Sequence, residues 1–173
     1  MVVTLQVIGY KNSGKTTVIT AFIRELTRRH ISVSVIKHSS HEIELDVAGT
    51  DTAQFTAAGA ASTVLKTAST LYYQQPTTVQ LTAADIMTGL PQKSAVVLIE
   101  GFKTDPFPKL ALLKKPTDRQ RLARYQPIVE TASLFSPELL FQNESFGVST
   151  ITQWFIHEFL PKELTHDRFS HPF

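Results

Sequence analysis

The chain has no cysteine. That excludes a disulfide framework, an iron–sulfur cluster and a thiolate-ligated zinc, and it fits a reducing compartment. No run approaches the roughly 20 apolar residues of a membrane-spanning helix. A surplus of one charge is missing too. The 17 lysines and arginines stand against 15 acids, a formal charge of +2, far from the dense basic face of nucleic-acid binders. The expectations are a cytoplasmic protein with no nucleic-acid partner and no membrane association. Hydrophobic residues are 42% and charged residues 18% of 173, the balance of one globular domain with a core of its own. Its expected limits are residues 1–160, with a polar tail over 161–173. Residues 2–8 are short for a signal peptide and lack a basic flank; rich in β-branched side chains and stopped by a glycine, they read as a buried strand.

Glycine is also scarce, with seven in the chain, and two of them frame the clearest motif: Gly9-Tyr10-Lys11-Asn12-Ser13-Gly14-Lys15-Thr16. The pattern Gly-x-x-x-x-Gly-Lys-Thr is a phosphate-binding loop. Gly9 and Gly14 allow the backbone torsions and close approach that a side chain blocks. The amides of Asn12, Ser13 and Gly14 converge on phosphate oxygens, aided by the N-terminus of the helix that follows. Lys15 reaches the β- and γ-phosphates as a point charge, and the Thr16 hydroxyl ligates Mg²⁺. Thr17 is assigned to the α-phosphate, and Lys11 reads as a solvated lysine. The context agrees: a strand precedes the loop, and Val18, Ile19, Phe22, Ile23 and Leu26 place an apolar stripe on the helix after it.

Further along, residues 31–36 alternate as a second strand, and residues 51–58 read as a helix. Residues 62–66 and 70–74 suit a short two-stranded ribbon, and residues 82–88 a helix. Residues 95–99 form a uniformly apolar strand, as expected where both faces are covered. Strands follow at 109–113 and 127–131, with a helix at 149–159. The stretch 114–124 holds five basic residues and one acid. It reads as an exposed, solvated loop or short helix, with contact to an anionic partner or to the cofactor's phosphate as the alternative. Strand–helix alternation predicts an α/β fold, a P-loop NTPase-type three-layer sandwich whose mostly parallel sheet is flanked by helices.

Such a site needs a carboxylate near the metal. Glu100 ends the apolar strand at the sheet's carboxyl edge, where ligands collect in open α/β folds, so it is read as a catalytic and metal-binding acid together with Lys15; a simple strand cap is the alternative. The segment after the second strand carries His38, His41, Asp46 and Asp51. Asp46 and Asp51 are candidates for Mg²⁺, directly or through water. His38 and His41 lack a third spaced ligand and read more readily as surface or hydrogen-bonding histidines.

Three blocks together resemble the molybdopterin-guanine dinucleotide biosynthesis protein B (MobB) family. They are Gly9 to Thr17; Lys37-His38 with His41, Asp46, Gly49, Asp51 and Ala58-Gly59-Ala60; and Leu98-Ile99-Glu100-Gly101-Phe102-Lys103 with Pro108-Lys109. The resemblance covers about the first 115 residues. It implies binding of GTP with Mg²⁺, slow GTPase activity, a homodimer, and an assisting role in attaching GMP to molybdopterin, where a partner nucleotidyltransferase, MobA, performs the transfer. It adds Lys103 to the candidate residues. The chain departs from the family at Thr50, where a lysine is frequent, and at Thr52-Ala53-Gln54-Phe55, where the helix is often basic. It has no Asn-Lys-x-Asp motif, so guanine preference comes from the resemblance alone. A P-loop small-molecule kinase, a non-catalytic nucleotide-dependent scaffold and, more weakly, a metal-insertion GTPase are the competing readings.

Overall fold

The computed structural model describes residues 2–39, 49–90 and 93–165. The chain forms two compact units, one of residues 1–38 and 82–173, the other of residues 39–81.

The first unit is built on a six-stranded sheet. Its strands are β1 (Val3–Gly9), β2 (Val33–Lys37), β5 (Val96–Glu100), β6 (Lys109–Leu113), β7 (Ile128–Ser133) and β8 (Ser145–Phe146), in the order β2-β5-β1-β6-β7-β8. Every described pairing in this sheet is parallel. This is the predicted α/β sandwich, with helices on both faces.

The alternation of side chains along β1 shows how the layers are assigned. Leu5 and Val7 face α1 (Lys15–Arg28) and α5 (Gly147–Trp154), joining a core that contains Val18, Phe22, Leu26 and Ile151. Ile8, one step out of phase, packs with Leu122 of α4 (Pro116–Leu122) on the opposite face. On that same side Val97 and Ile99 of β5 meet Ala83 of α3 (Ala83–Thr88). Period-two alternation in the strands thus feeds one core on the α1–α5 face and two smaller ones on the opposite face. β5 and β6 are buried at every position, the signature of parallel strands covered on both sides. Each fully buried Leu or Ile there contributes roughly 1.5–3 kcal/mol.

The helix expected over 149–159 starts earlier and ends earlier. α5 opens at Gly147, and residues Phe155–Phe159 continue as a π-helical turn. The wider turn brings Phe155 onto Phe22, ring centroids 4.1 Å apart, while Phe155 also faces Phe159. Packing of large rings against α1 outweighs regular α-helical spacing. The two-residue strand β8 had no sequence signal, and the stretch 114–124 contains α4, the short helix that was one of its two readings.

The second unit, described by itself, contains α2 (Asp51–Ala57) and an antiparallel ribbon of β3 (Thr63–Lys66) and β4 (Leu71–Gln74). Thr50 caps α2, its hydroxyl accepting from the Ala53 amide. The predicted ribbon is present, with Val64, Leu65, Leu71, Tyr72 and Tyr73 all exposed.

Candidate functional site

The phosphate-binding loop lies between β1 and α1, at the carboxyl edge of the sheet. β1 delivers Gly9 into the loop, and Gly14 caps α1 in the left-handed region at φ +89°. A methyl group at Gly14 would stand 2.4 Å from Leu134 Cδ1, and one at Gly9 would stand 2.3 Å from Ser13 Oγ. Both positions therefore need glycine, Gly14 for torsion and space, Gly9 for space. The Ser13 amide donates to the Tyr10 carbonyl at 3.1 Å, closing the turn. Asn12 sits at φ +60°, a strained torsion of the kind that collects at functional sites.

The loop encloses a cleft of about 350 Å³ lined by Lys11, Asn12, Ser13, Gly14, Lys15, Thr16, Thr17 and Glu100. Ser13 is fully buried, and its hydroxyl has no partner among the described residues. Lys15 Nζ donates to the Tyr10 carbonyl at 3.1 Å. Burial pushes the Lys15 ammonium below the usual lysine range; Glu100 opposes this, while Lys103 and Lys37 add to it.

Glu100 is the centre of the polar arrangement. It ends β5 and is 9% exposed. The Thr16 hydroxyl donates to Glu100 Oε2 at 3.2 Å, and Lys37 Nζ lies 3.5 Å from Oε1. A hydroxyl beside a carboxylate is the hard-oxygen pair that suits Mg²⁺. The loop amides, Lys15 and the buried Ser13 hydroxyl supply donors for phosphate. The donor set thus fits a triphosphate with its metal: Lys15 and the loop would hold the phosphates, and Thr16 and Glu100 the ion.

The structure brings Gly9, Asn12, Ser13, Gly14, Lys15, Thr16, Thr17 and Glu100 into one site, with two other candidates beside it. His38 continues the β2–β5 pairing by donating its amide to the Glu100 carbonyl at 2.9 Å, and its ring meets Phe102 edge-on at 4.9 Å. Lys103 lies over the Tyr10 ring at 4.5 Å. Asp51 opens α2 in the second unit and is exposed. His41 and Asp46 lie outside the described residues. Among the described residues no three histidines and acids gather as a metal cluster.

Sequence reasoning missed three contributors. Gln6 is fully buried in β1 and donates through Nε2 to the carbonyls of Gly101, at 2.6 Å, and Phe102. It thereby fixes the start of the β5–β6 loop, where Phe102 holds φ +48°. A lone amide within the apolar run of β1 was the available signal. Lys37 pairs with Glu100 across neighbouring strands, and Leu134 fills the space beside Gly14. Neither pairing has a local pattern.

Comparison with known proteins places this arrangement. The family model described as "Molybdopterin guanine dinucleotide synthesis protein B", MobB, matches residues 4–133. A "Molybdopterin-guanine dinucleotide biosynthesis adapter protein" of Haemophilus influenzae is 35% identical over 130 residues, covering 73% of this chain and 68% of that protein. The "Probable molybdopterin-guanine dinucleotide biosynthesis adapter protein" of Bacillus subtilis is 34% identical over 127 residues, covering 68% and 69%. Among solved structures, the MobB homolog from Bacillus stearothermophilus shares the fold at a TM-score of 0.68 and 21% identity, covering 90% of this chain and 96% of that one. The structure of Bacillus subtilis MobB follows at 0.65 and 27%, covering 84% and 90%. A loop, helix and strand-end acid in one site, set in a sequence that matches from the first strand to the seventh, establish that this chain belongs to the MobB family.

Proposed function

We propose that this protein is a GTP-binding adapter of molybdopterin guanine dinucleotide biosynthesis, with weak GTPase activity and Mg²⁺ as its ion. The observation that carries the reading is the contact between the Thr16 hydroxyl and Glu100 at 3.2 Å, at the mouth of a loop whose donors match a triphosphate. The relatives' names supply the biosynthetic context. Lys15 and the loop amides would hold the phosphates and stabilise charge as water attacks the γ-phosphorus. Bound Mg²⁺ would neutralise phosphate charge, with Thr16 and Glu100 as its protein-side oxygens. Slow turnover agrees with the lining: among the described residues the cleft offers lysines and one acid, with no arginine to stabilise the transition state.

In this reading a MobA-type nucleotidyltransferase and molybdopterin, or its guanine dinucleotide, would be the partners, in the cytoplasm. No described helix is long and apolar enough to cross a membrane. The exposed apolar side chains of the β3–β4 ribbon support a homodimer, since a two-stranded ribbon is marginal alone and large exposed apolar patches mark interfaces. Sedimentation at a dimer's mass is the expected result.

The test of the site is Lys15→Ala. This variant is expected to keep its fold by circular dichroism and lose GTP binding, while wild type prefers GTP over ATP. Unchanged GTP affinity in the variant overturns the site. Phosphate transfer from ATP to a small acceptor would mark a kinase instead.

A further inference from the structure

Beside the loop stands a second group of cations that the triphosphate reading does not use. Lys103 Nζ lies 4.5 Å from the Tyr10 ring centre and 5.7 Å from that of Tyr125. The Arg121 guanidinium lies 6.0 Å from the Tyr10 ring, and that of Arg124 lies 4.8 Å from the Tyr125 ring. Arg124 also donates to the Tyr125 hydroxyl at 2.8 Å. Three cations are thus drawn onto two neighbouring rings. Among the described residues none of the three pairs with a carboxylate. Ring faces attract cations modestly, and like charges held together oppose one another. The three come from segments remote in sequence, the β5–β6 loop and α4 with the turn after it.

Those segments are tied together from beneath. Lys109 is fully buried, and its Nζ donates to the carbonyls of Asp105 at 2.5 Å, Phe107 at 2.9 Å and Gln126 at 3.1 Å. Asp105 and Phe107 follow Lys103 in one segment, and Gln126 follows Tyr125 in the other. A buried ammonium is costly, and here it fixes the two backbones that present the cations. Tyr10 is the second residue of the phosphate-binding loop, and Lys103 is near enough to depress the Lys15 ammonium.

We infer that Lys103, Arg121 and Arg124, mounted on Tyr10 and Tyr125, form a second anion subsite that takes the phosphate of a small phosphomonoester beside the nucleotide. Arginine's planar fork suits a phosphate's oxygens, and lysine adds a point charge. A small ligand is favoured over an acidic protein surface because the cations meet at a residue of the triphosphate loop itself, with Tyr10, Lys103 and Tyr125 half-buried rather than protruding. The inference rests on the nucleotide reading for its neighbour, and its test separates the two.

The probe is phenyl phosphate, titrated by calorimetry into protein saturated with Mg²⁺ and a non-hydrolysable GTP analogue. Wild type is expected to bind one equivalent. Arg121→Ala/Arg124→Ala, at two exposed positions, is expected to weaken phenyl phosphate by about tenfold or more while GTP-analogue affinity stays within about twofold. Arg121→Lys/Arg124→Lys should recover part of the loss, which a folding defect would not do. No binding to wild type, or equal binding by the alanine variant, overturns the subsite. So does phenyl phosphate that competes with the analogue and disappears in Lys15→Ala, since it then occupies the triphosphate loop. If the analogue fails to bind at all, the nucleotide reading fails, and phenyl phosphate on the Lys15→Ala background still decides the subsite. An acidic peptide that binds where phenyl phosphate does not would overturn the small-ligand assignment.

Discussion

Replacing Lys109 with methionine tests the reasoning about the buried clamp most directly. Methionine keeps much of the stem's volume and deletes the ammonium. Three donated hydrogen bonds disappear, to Asp105, Phe107 and Gln126. Hydrogen bonds to a charged group contribute about 1.5–3 kcal/mol each, and an orphaned buried carbonyl costs about 1–3 kcal/mol. Against this stands the desolvation of the ammonium, several kcal/mol in a dry site. That cost is visible in the Lys109 amine itself, which burial holds below the usual lysine range, with Asp105 opposing. A buried ion pair exchanged for apolar side chains is often neutral because both partners leave together. Here the acceptors are backbone carbonyls and stay behind. The carbonyls decide the sign, and the net loss is about 3 kcal/mol. At roughly 2–4 °C per kcal/mol for a chain of this size, Tm falls by about 6–12 °C. Thermal and urea unfolding at pH 7 followed by circular dichroism measure it, with an unchanged m-value showing that the unfolded state is the same. A Tm equal to or above wild type would refute the account, since it would mean the three carbonyls find water or relax.

Three other outcomes are expected. Gly14→Ala places a residue at φ +89° with its Cβ 2.4 Å from Leu134 Cδ1; the torsion alone costs about 1–2 kcal/mol, so Tm and GTP-analogue affinity both fall, and adding Leu134→Ala recovers only the steric share. Glu100→Gln removes the carboxylate opposite Thr16, and the Mg²⁺ concentration needed for half-maximal analogue binding is expected to rise about tenfold; stability changes little, because the Lys37 pair is partly solvated and worth about 0–1 kcal/mol. In α1, Glu25 is bound by Arg28 first and Arg29 second, which lowers its carboxyl to about 2. A depressed acid contributes stability above its ordinary pKa and loses it as pH falls through the folded value, so the contribution fades between about pH 4.5 and 2. Solvent screening limits it to about 1 kcal/mol or less, and Glu25→Gln is expected to flatten the acid limb of a Tm–pH curve by that amount, with an unaltered limb counting against the fork.

The sequence by itself determined what is local or periodic. The eight residues from Gly9 to Thr16 are contiguous, so their loop, the helix after it and the strand before it were legible without any tertiary knowledge. Residues 95–99 are apolar without interruption because β5 is covered on both faces, and that pattern placed Glu100 at the strand end. The β3–β4 ribbon and the α3 and α2 helices were legible as well, as short contiguous segments. Only the tertiary structure decided what depends on strand order and distant packing. Parallel neighbours β2, β5, β1 and β6 bring Lys37, Glu100, Gln6 and Lys109 together from positions up to 103 residues apart in the numbering, and no spacing rule encodes that order. The π-helical turn after Trp154 follows from Phe155 stacking on Phe22, a contact between the two ends of the chain. The convergence of Lys103, Arg121 and Arg124 on two tyrosines is of the same kind. In the sequence, the two arginines looked like part of a solvated basic stretch, because a charge run says nothing of what it faces. Once Lys109 joins their segment to the β5–β6 loop that carries Lys103, the same residues stand beside the phosphate-binding loop.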